Sequence, residues 1–153
     1  MLGKTNQFNL TTRRHSRAQL QSMLESSGSI ALTLRLRDKF GDQGIVAVLL
    51  AIPSGENGIL MVDSFLVSCR ALGRGVEHAL WAAMVDRARQ QNARRLEAEY
   101  ISTAKNGIVT NLYDQLGLRR MQEDGGSTRY VLEPIAPIKF PSWISLKGQN
   151  YGS

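Results

Sequence analysis

An apolar run over residues 59–67 leads directly into Cys69-Arg70-Ala71-Leu72-Gly73-Arg74-Gly75-Val76, and an amphipathic pattern follows over residues 76–90. Strand, glycine loop and helix in immediate succession constrain this chain more than any other feature in it. Arg-x-x-Gly-x-Gly at a helix start gathers consecutive backbone N–H groups around one point. The glycines let the chain turn tightly and let a ligand approach the backbone, and the helix N-terminus adds partial positive charge, so the natural guest is a phosphate or pyrophosphate. A dinucleotide site would need a second glycine pattern in a parallel βαβ setting, and a nucleoside-triphosphate loop would need Gly-Lys-Ser/Thr, which is absent. An ordinary strand–turn–helix corner is the competing reading.

The elements around this segment narrow the choice. Residues 8–12 predict a short strand, and Ser16 is placed to cap a helix running to about Ser26. Residues 30–39 alternate, with Ile30, Leu32, Leu34 and Leu36 against Thr33, Arg35 and Arg37, which predicts a half-exposed strand. Phe40-Gly41-Asp42-Gln43-Gly44 reads as a turn, residues 45–52 as a strand apolar on both faces, and residues 53–58 as a second hairpin connection. The helix after the glycine loop carries Val76, Ala79, Leu80, Ala83 and Met84 on one face. A strand over 94–101 and a helix over 104–116 ended by Gly117 follow, then strands over 118–123 and 128–133 joined at Asp124-Gly125-Gly126-Ser127. The predicted order is β-α-β-β-β-α-β-α-β-β, an α/β domain with a central mixed sheet flanked by helices.

Composition removes several classes. With 153 residues and 42% hydrophobic content, the chain suffices for one core. No run approaches the roughly 18 apolar residues of a membrane span, and no signal-peptide pattern opens the sequence. A single cysteine excludes an internal disulfide and fits a reducing cytosol, so a cytoplasmic location is expected. Two histidines and one cysteine are scattered without ligand spacing, so no metal site is expected; His15 and His78 read more readily as surface residues. The net charge of +6 comes from dispersed arginines and suits an anionic partner. No nucleic-acid-binding signature accompanies it.

The loop and the element order together resemble the GNAT superfamily of acyl-CoA-dependent acyltransferases, whose pyrophosphate loop reads Gln/Arg-x-x-Gly-x-Gly/Ala. Asn106 followed by Leu112-Tyr113-Asp114-Gln115-Leu116-Gly117-Leu118 is similar to that superfamily's second signature, Asn…(Phe/Leu)-Tyr-x-x-x-Gly-Phe. The resemblance implies a GNAT-like fold in which the strand before the loop and the strand after its helix diverge into a V-shaped slot. Backbone groups of Phe65 and Val67 would pair with a pantetheine arm. Arg70, Gly73, Arg74, Gly75 and Val76 would hold its phosphates, and Asn106 would orient the arm. Tyr113 would protonate the departing thiolate; a tyrosine packed at a helix edge is the alternative.

Cys69 stands between strand and loop, beside Arg70 and near a helix N-terminus, features that favour a thiolate. Next to a thioester it could accept and pass on the acyl group; a small buried cysteine closing the strand is the other reading. Asp63 on the incoming strand and Glu97 and Glu99 on the outgoing one are the acidic residues near the slot, with Asp63 or Glu99 preferred as a base.

A narrower resemblance runs from about Lys4 to Leu118. It rests on Lys4-Thr5-Asn6-Gln7-Phe8-Asn9-Leu10-Thr11-Thr12-Arg13-Arg14, Arg37-Asp38-Lys39-Phe40-Gly41-Asp42, Ser68 through Glu77, and Glu99-Tyr100-Ile101-Ser102-Thr103-Ala104-Lys105-Asn106. These segments are similar to the C-terminal GNAT-like domain of FkbH-like proteins, in which a haloacid-dehalogenase-type phosphatase domain precedes the acyltransferase. That family loads a glyceryl group from bisphosphoglycerate onto an acyl carrier protein in polyketide biosynthesis. The phosphatase half is absent from this sequence, so a cut domain and a stand-alone relative are both expected possibilities. His15 falls where an aromatic residue is expected.

The resemblance implies an acyltransferase acting on carrier-protein-bound phosphopantetheine, with coenzyme A as the alternative cofactor. The expected partners are an acyl carrier protein and a separate phosphatase domain, with no nucleic acid or membrane. An acetyl-CoA-dependent N-acetyltransferase of a small amine and a non-catalytic carrier-docking module are the competing functions. Residues 1–133 form the expected domain, and residues 134–153 a tail packed on it through groups such as Phe140, Trp143, Ile144 and Tyr151.

Overall fold

Alternating and uniformly apolar segments pair into one mixed sheet. The computed structural model describes residues 7–9, 16–25, 28–68, 71, 75–102 and 111–138. Its strands are β1 (Gln7–Asn9), β2 (Ile30–Asp38), β3 (Gly41–Pro53), β4 (Ile59–Ser68), β5 (Arg95–Ile101), β6 (Arg119–Asp124) and β7 (Ser127–Leu132). The helices are α1 (Arg17–Glu25), α2 (Val76–Gln90) and α3 (Leu112–Gln115). Strand order is β2-β3-β4-β5-β7-β6, with β1 attached to β4. Among the described strands only β4 and β5 run parallel, and α2 supplies the crossover that a parallel pair requires.

Position in the sheet follows burial. In β4 every residue except the half-buried Met61 is buried, as expected for a central strand covered on both faces. Leu96, Ala98 and Tyr100 of β5 point into the core while Glu97 and Glu99 share the other, partly exposed face. Charged β6 lies at the edge with all its residues exposed. At α1, Ser16 Oγ accepts the Gln19 N–H at 3.1 Å and the Ser16 N–H donates to Gln19 Oε1 at 2.8 Å. This reciprocal capping box confirms Ser16 as the cap.

Three details differ from the sequence expectation. The residue cluster at Phe40–Gly44 is not a five-residue turn: β3 already begins at Gly41, and Asp38 pairs with Gly41. Asp42 stabilises this extension, because its Oδ2 accepts from Arg35 Nη2 and its Oδ1 from the Gly44 N–H. Helix α2 is buried well beyond one stripe, since Trp81, Ala82, Val85 and Ala88 join the expected Val76, Ala79, Leu80 and Met84. The third expected helix, over 104–116, is described only as the single turn α3; residues 103–110 lie outside the described residues.

Between β6 and β7 the turn is Gly125-Gly126, with φ of 53° and 90°. Positive φ at both central residues is what a type I′ hairpin turn needs. Beyond β7, Ile135 and Ile138 pack against the core. Phe140, Trp143, Ile144 and Tyr151 lie outside the described residues.

Candidate functional site

β4 and β5 separate because of one residue. Ala51 pairs with Val62 and Leu50 with Ser64, so Asp63 is an extra residue on β4, a β-bulge. A bulge bends its strand and increases the local twist. The parallel rungs to β5 run from Ile59–Arg95 to Met61–Glu97 and stop just before the bulge. Beyond them no β4–β5 pairing is present among the described residues, which is where the resemblance implied a V-shaped slot.

Asp63 and Ser64 are both buried at this point, 7% and 5% exposed. Ser64 Oγ donates to Asp63 Oδ2 at 2.8 Å, which gives this buried carboxyl a hydrogen-bond partner. Glu99, on the β5 side, is partly buried, and its Oε2 accepts from Ser127 Oγ at 2.7 Å.

The edge of β4 that faces this slot is partly covered by the chain itself. β3 pairs with Leu66 and Val67 from one side, through Val48 and Ala47. A strand has only two edges, so β1 must lie on the other, which is the edge β5 uses lower down. There Gln7 pairs with Ser68, Phe8 with Val67 and Asn9 with Leu66, all antiparallel. The described residues place no strand against this edge over residues 62–65.

An aromatic cluster packs around Phe65 of β4. Phe65 stacks nearly parallel to Trp81, centroids 6.4 Å apart and planes at 11°. Tyr113 tilts against Phe65 at 6.2 Å and against Tyr130 at 5.2 Å. Tyr113 is 1% exposed, so the expected proton donor sits inside the core beneath β4. Phe65 and Val67 are fully buried as side chains, and Val67 is flanked by Ala47 of β3 and Phe8 of β1.

The β6–β7 hairpin and the end of β5 border an open cavity of about 390 Å³, lined by Tyr100, Ser102, Arg120, Glu123, Ser127 and Tyr130 among others. Arg120 organises its wall. Its Nε and Nη2 donate to the two carboxylate oxygens of Asp114 at 3.0 and 2.9 Å, and its Nη1 donates to Glu123 Oε1 at 2.7 Å. Tyr130 Oη also donates to Asp114 Oδ2, at 3.3 Å. The Arg120 hydrogen bonds hold the Asp114 carboxyl below the ordinary carboxylate range, with the guanidinium charge and the Tyr130 hydroxyl acting the same way. Burial, reinforced by the Asp114 charge, raises the Tyr130 phenol. None of Asp114, Arg120 and Tyr130 carries a sequence signal as a set, because Arg120 reaches Tyr130 only through the β6–β7 register.

At the start of α2, Gly75 has φ of 87°, a conformation that favours glycine, and its carbonyl accepts the Ala79 N–H. Val76 is buried behind it. Glu77 follows in the first helical turn, 5% exposed, with its Oε1 3.8 Å from His78 Nδ1. Cys69, Arg70, Gly73, Arg74 and Asn106, and with them most of the glycine loop, lie outside the described residues, as does His15. The structure therefore brings Asp63, Phe65, Val67 and Tyr113 to one end of β4 and sets Glu99 on β5.

Two comparisons with known proteins return nothing: no family model matches the sequence, and no curated protein does. Solved structures do match. A ribosomal-protein-alanine N-acetyltransferase from Brucella melitensis superimposes with a TM-score of 0.58 at 17% identity, covering 76% of each chain. A Klebsiella pneumoniae protein described as an acyl-CoA N-acyltransferase gives 0.55 at 21% identity, over 76% of this chain and 83% of that one. A GNAT-family protein from Desulfovibrio desulfuricans described as an acetyltransferase gives 0.54 at 21% identity, over 62% of this chain; the match spans 64% of that protein's length. No helix among the described residues is long and apolar enough to cross a membrane. A mixed sheet flanked by helices, superimposing on these structures, shows that the chain has the GNAT acyltransferase fold.

Proposed function

We propose that this domain transfers an acyl group from a phosphopantetheine thioester, and that the thioester is carried on an acyl carrier protein, with a glyceryl or similar short acyl group as cargo. The observation that carries acyl transfer is the bulge at Asp63, which ends the β4–β5 pairing and leaves β4 backbone over residues 62–65 facing the slot. A thioester bound there supplies an acyl carbon activated by its sulfur leaving group. Backbone N–H and C=O groups at an open strand edge suit an arm built from amides, so this stretch fits the group. The next stretch, residues 66–68, does not fit it while β1 is paired there.

The chain's own residues would divide the chemistry as follows. Asp63, held by Ser64, is the base candidate nearest the bulge. Tyr113 would give its phenolic proton to the departing sulfur, and Cys69 would accept the acyl group and release it to the acceptor. The carrier-protein form of the reading rests on the similarity of four sequence segments to FkbH-like proteins, and the basic charge of +6 suits an acidic carrier.

A second reading has its own support. The Brucella melitensis structure is a ribosomal-protein-alanine N-acetyltransferase, so acetyl transfer from coenzyme A to an amine suits the same fold. Intact-mass analysis separates the two. Wild type and Cys69→Ala are incubated with acyl-loaded carrier protein and, separately, with acetyl-CoA and a panel of small amines. Acyl mass on wild type alone, taken from the carrier, supports the relay. Transfer from acetyl-CoA to an amine that survives Cys69→Ala supports the N-acetyltransferase. Binding of the carrier without any transfer would leave a docking module.

A further inference from the structure

We propose that β1 is an internal competitor for the acyl-donor slot, so that the chain in this conformation is closed to the donor arm and opens when β1 leaves. The inference rests on reading the slot as a pantetheine site. Its observation is separate: Gln7, Phe8 and Asn9 pair with Ser68, Val67 and Leu66 along the edge of β4 that β3 does not use. These are the last residues of β4 before the glycine loop, and Val67 is one of the two positions whose backbone the arm would need.

The chemistry of the two occupants is alike. A β-strand and an amide-containing arm both bind a strand edge through alternating N–H and C=O groups, and one edge group cannot serve both. The placement also departs from the sheet's own order, since β1 lies off the β2-β3-β4-β5-β7-β6 path. It enters between two strands that the Asp63 bulge has already separated. With only three residues, β1 forms few ladder hydrogen bonds. Such a segment is easily displaced, which suits a gate.

The consequence is quantitative. If β1 is seated about nine-tenths of the time, the apparent affinity for the arm falls about tenfold, because only the open fraction binds. The full chain is titrated with coenzyme A by calorimetry as wild type, Phe8→Pro and Asn9→Pro. Antiparallel pairs alternate in which residues donate, so one of the two prolines removes a ladder hydrogen bond whichever residue carries it. At least one variant should bind about tenfold more tightly. Independently of any variant, hydrogen–deuterium exchange on wild type should show amides 7–9 losing protection when coenzyme A is added. Unchanged affinity in both variants, with amides 7–9 still protected in the complex, overturns the competitor and leaves acyl transfer standing. No binding to wild type or either variant overturns both readings.

Discussion

Tyr113 stands edge-on to Trp81, with ring centroids 6.2 Å apart and planes crossed at 67°. The pair ties α3 to α2, so Tyr113 has a packing role whether or not its hydroxyl takes part in chemistry. Tyr113→Phe separates the two. The ring contacts survive, and stability should change by about 1 kcal/mol or less. Turnover should fall by about a hundredfold if the phenol is the proton donor. Unchanged turnover at matched stability removes Tyr113 from the reaction.

Trp81 is fully buried between Phe65 and Tyr113. Trp81→Ala opens a large cavity there and should destabilise the fold by about 3–5 kcal/mol in denaturant titration. Trp81→Phe should cost clearly less. The indole Nε1 has no hydrogen-bond partner among the described residues, so its loss strands no acceptor.

The Asp114–Arg120 pair makes stability pH-dependent. Its folded carboxyl is depressed, chiefly by the Arg120 hydrogen bonds, so the folded state binds a proton less readily than the unfolded chain does. The contribution is therefore full above the unfolded value of about 3.9 and disappears as pH falls through the lower folded value. Asp42 is depressed in the same sense by the Gly44 N–H and Arg35, so wild type alone reports both groups. The difference in unfolding temperature between wild type and Asp114→Asn isolates Asp114. It should be positive near neutrality and shrink below about pH 4. A difference that is constant with pH would show that the pair does not carry it.

Asp63 and Glu99 are the two candidates for the base of the proposed reaction. Asp63 sits buried at the bulge, while Glu99 lies on the partly exposed face of β5. Asp63→Asn should lower kcat by about a hundredfold, and Glu99→Gln should leave kcat near the wild-type value. The reverse outcome would transfer the role to Glu99.

Much of this was readable from local sequence, because local geometry was enough. Helix α2 was expected over the residues it occupies, the Ser16 cap holds, and the Gly125-Gly126 turn adopts the dihedrals its residues favour. The hairpin at residues 40–44 was less legible. A polar, glycine-rich cluster looks like a turn until the Asp42–Arg35 contact across strands extends the ladder into it. The extra burial of α2 was also hidden. Its Trp81 and Val85 flank the expected apolar stripe, and the sheet and the Tyr113 ring that cover such positions come from elsewhere in the chain.

By itself the sequence determined the strand before the glycine segment, the helix after it and the order of elements, since each depends on residues close together in the chain. Tertiary structure alone decided three further points. It put the bulge at Asp63, which exists only as a mismatch between the β3 and β4 registers. It joined Asp114, Arg120 and Tyr130 through hairpin pairing. It also laid β1 against residues 66–68, some sixty positions along the chain. Strand edges are chemically alike, so composition and periodicity do not specify which strand a given edge will hold; that choice is made by the geometry of the assembled sheet.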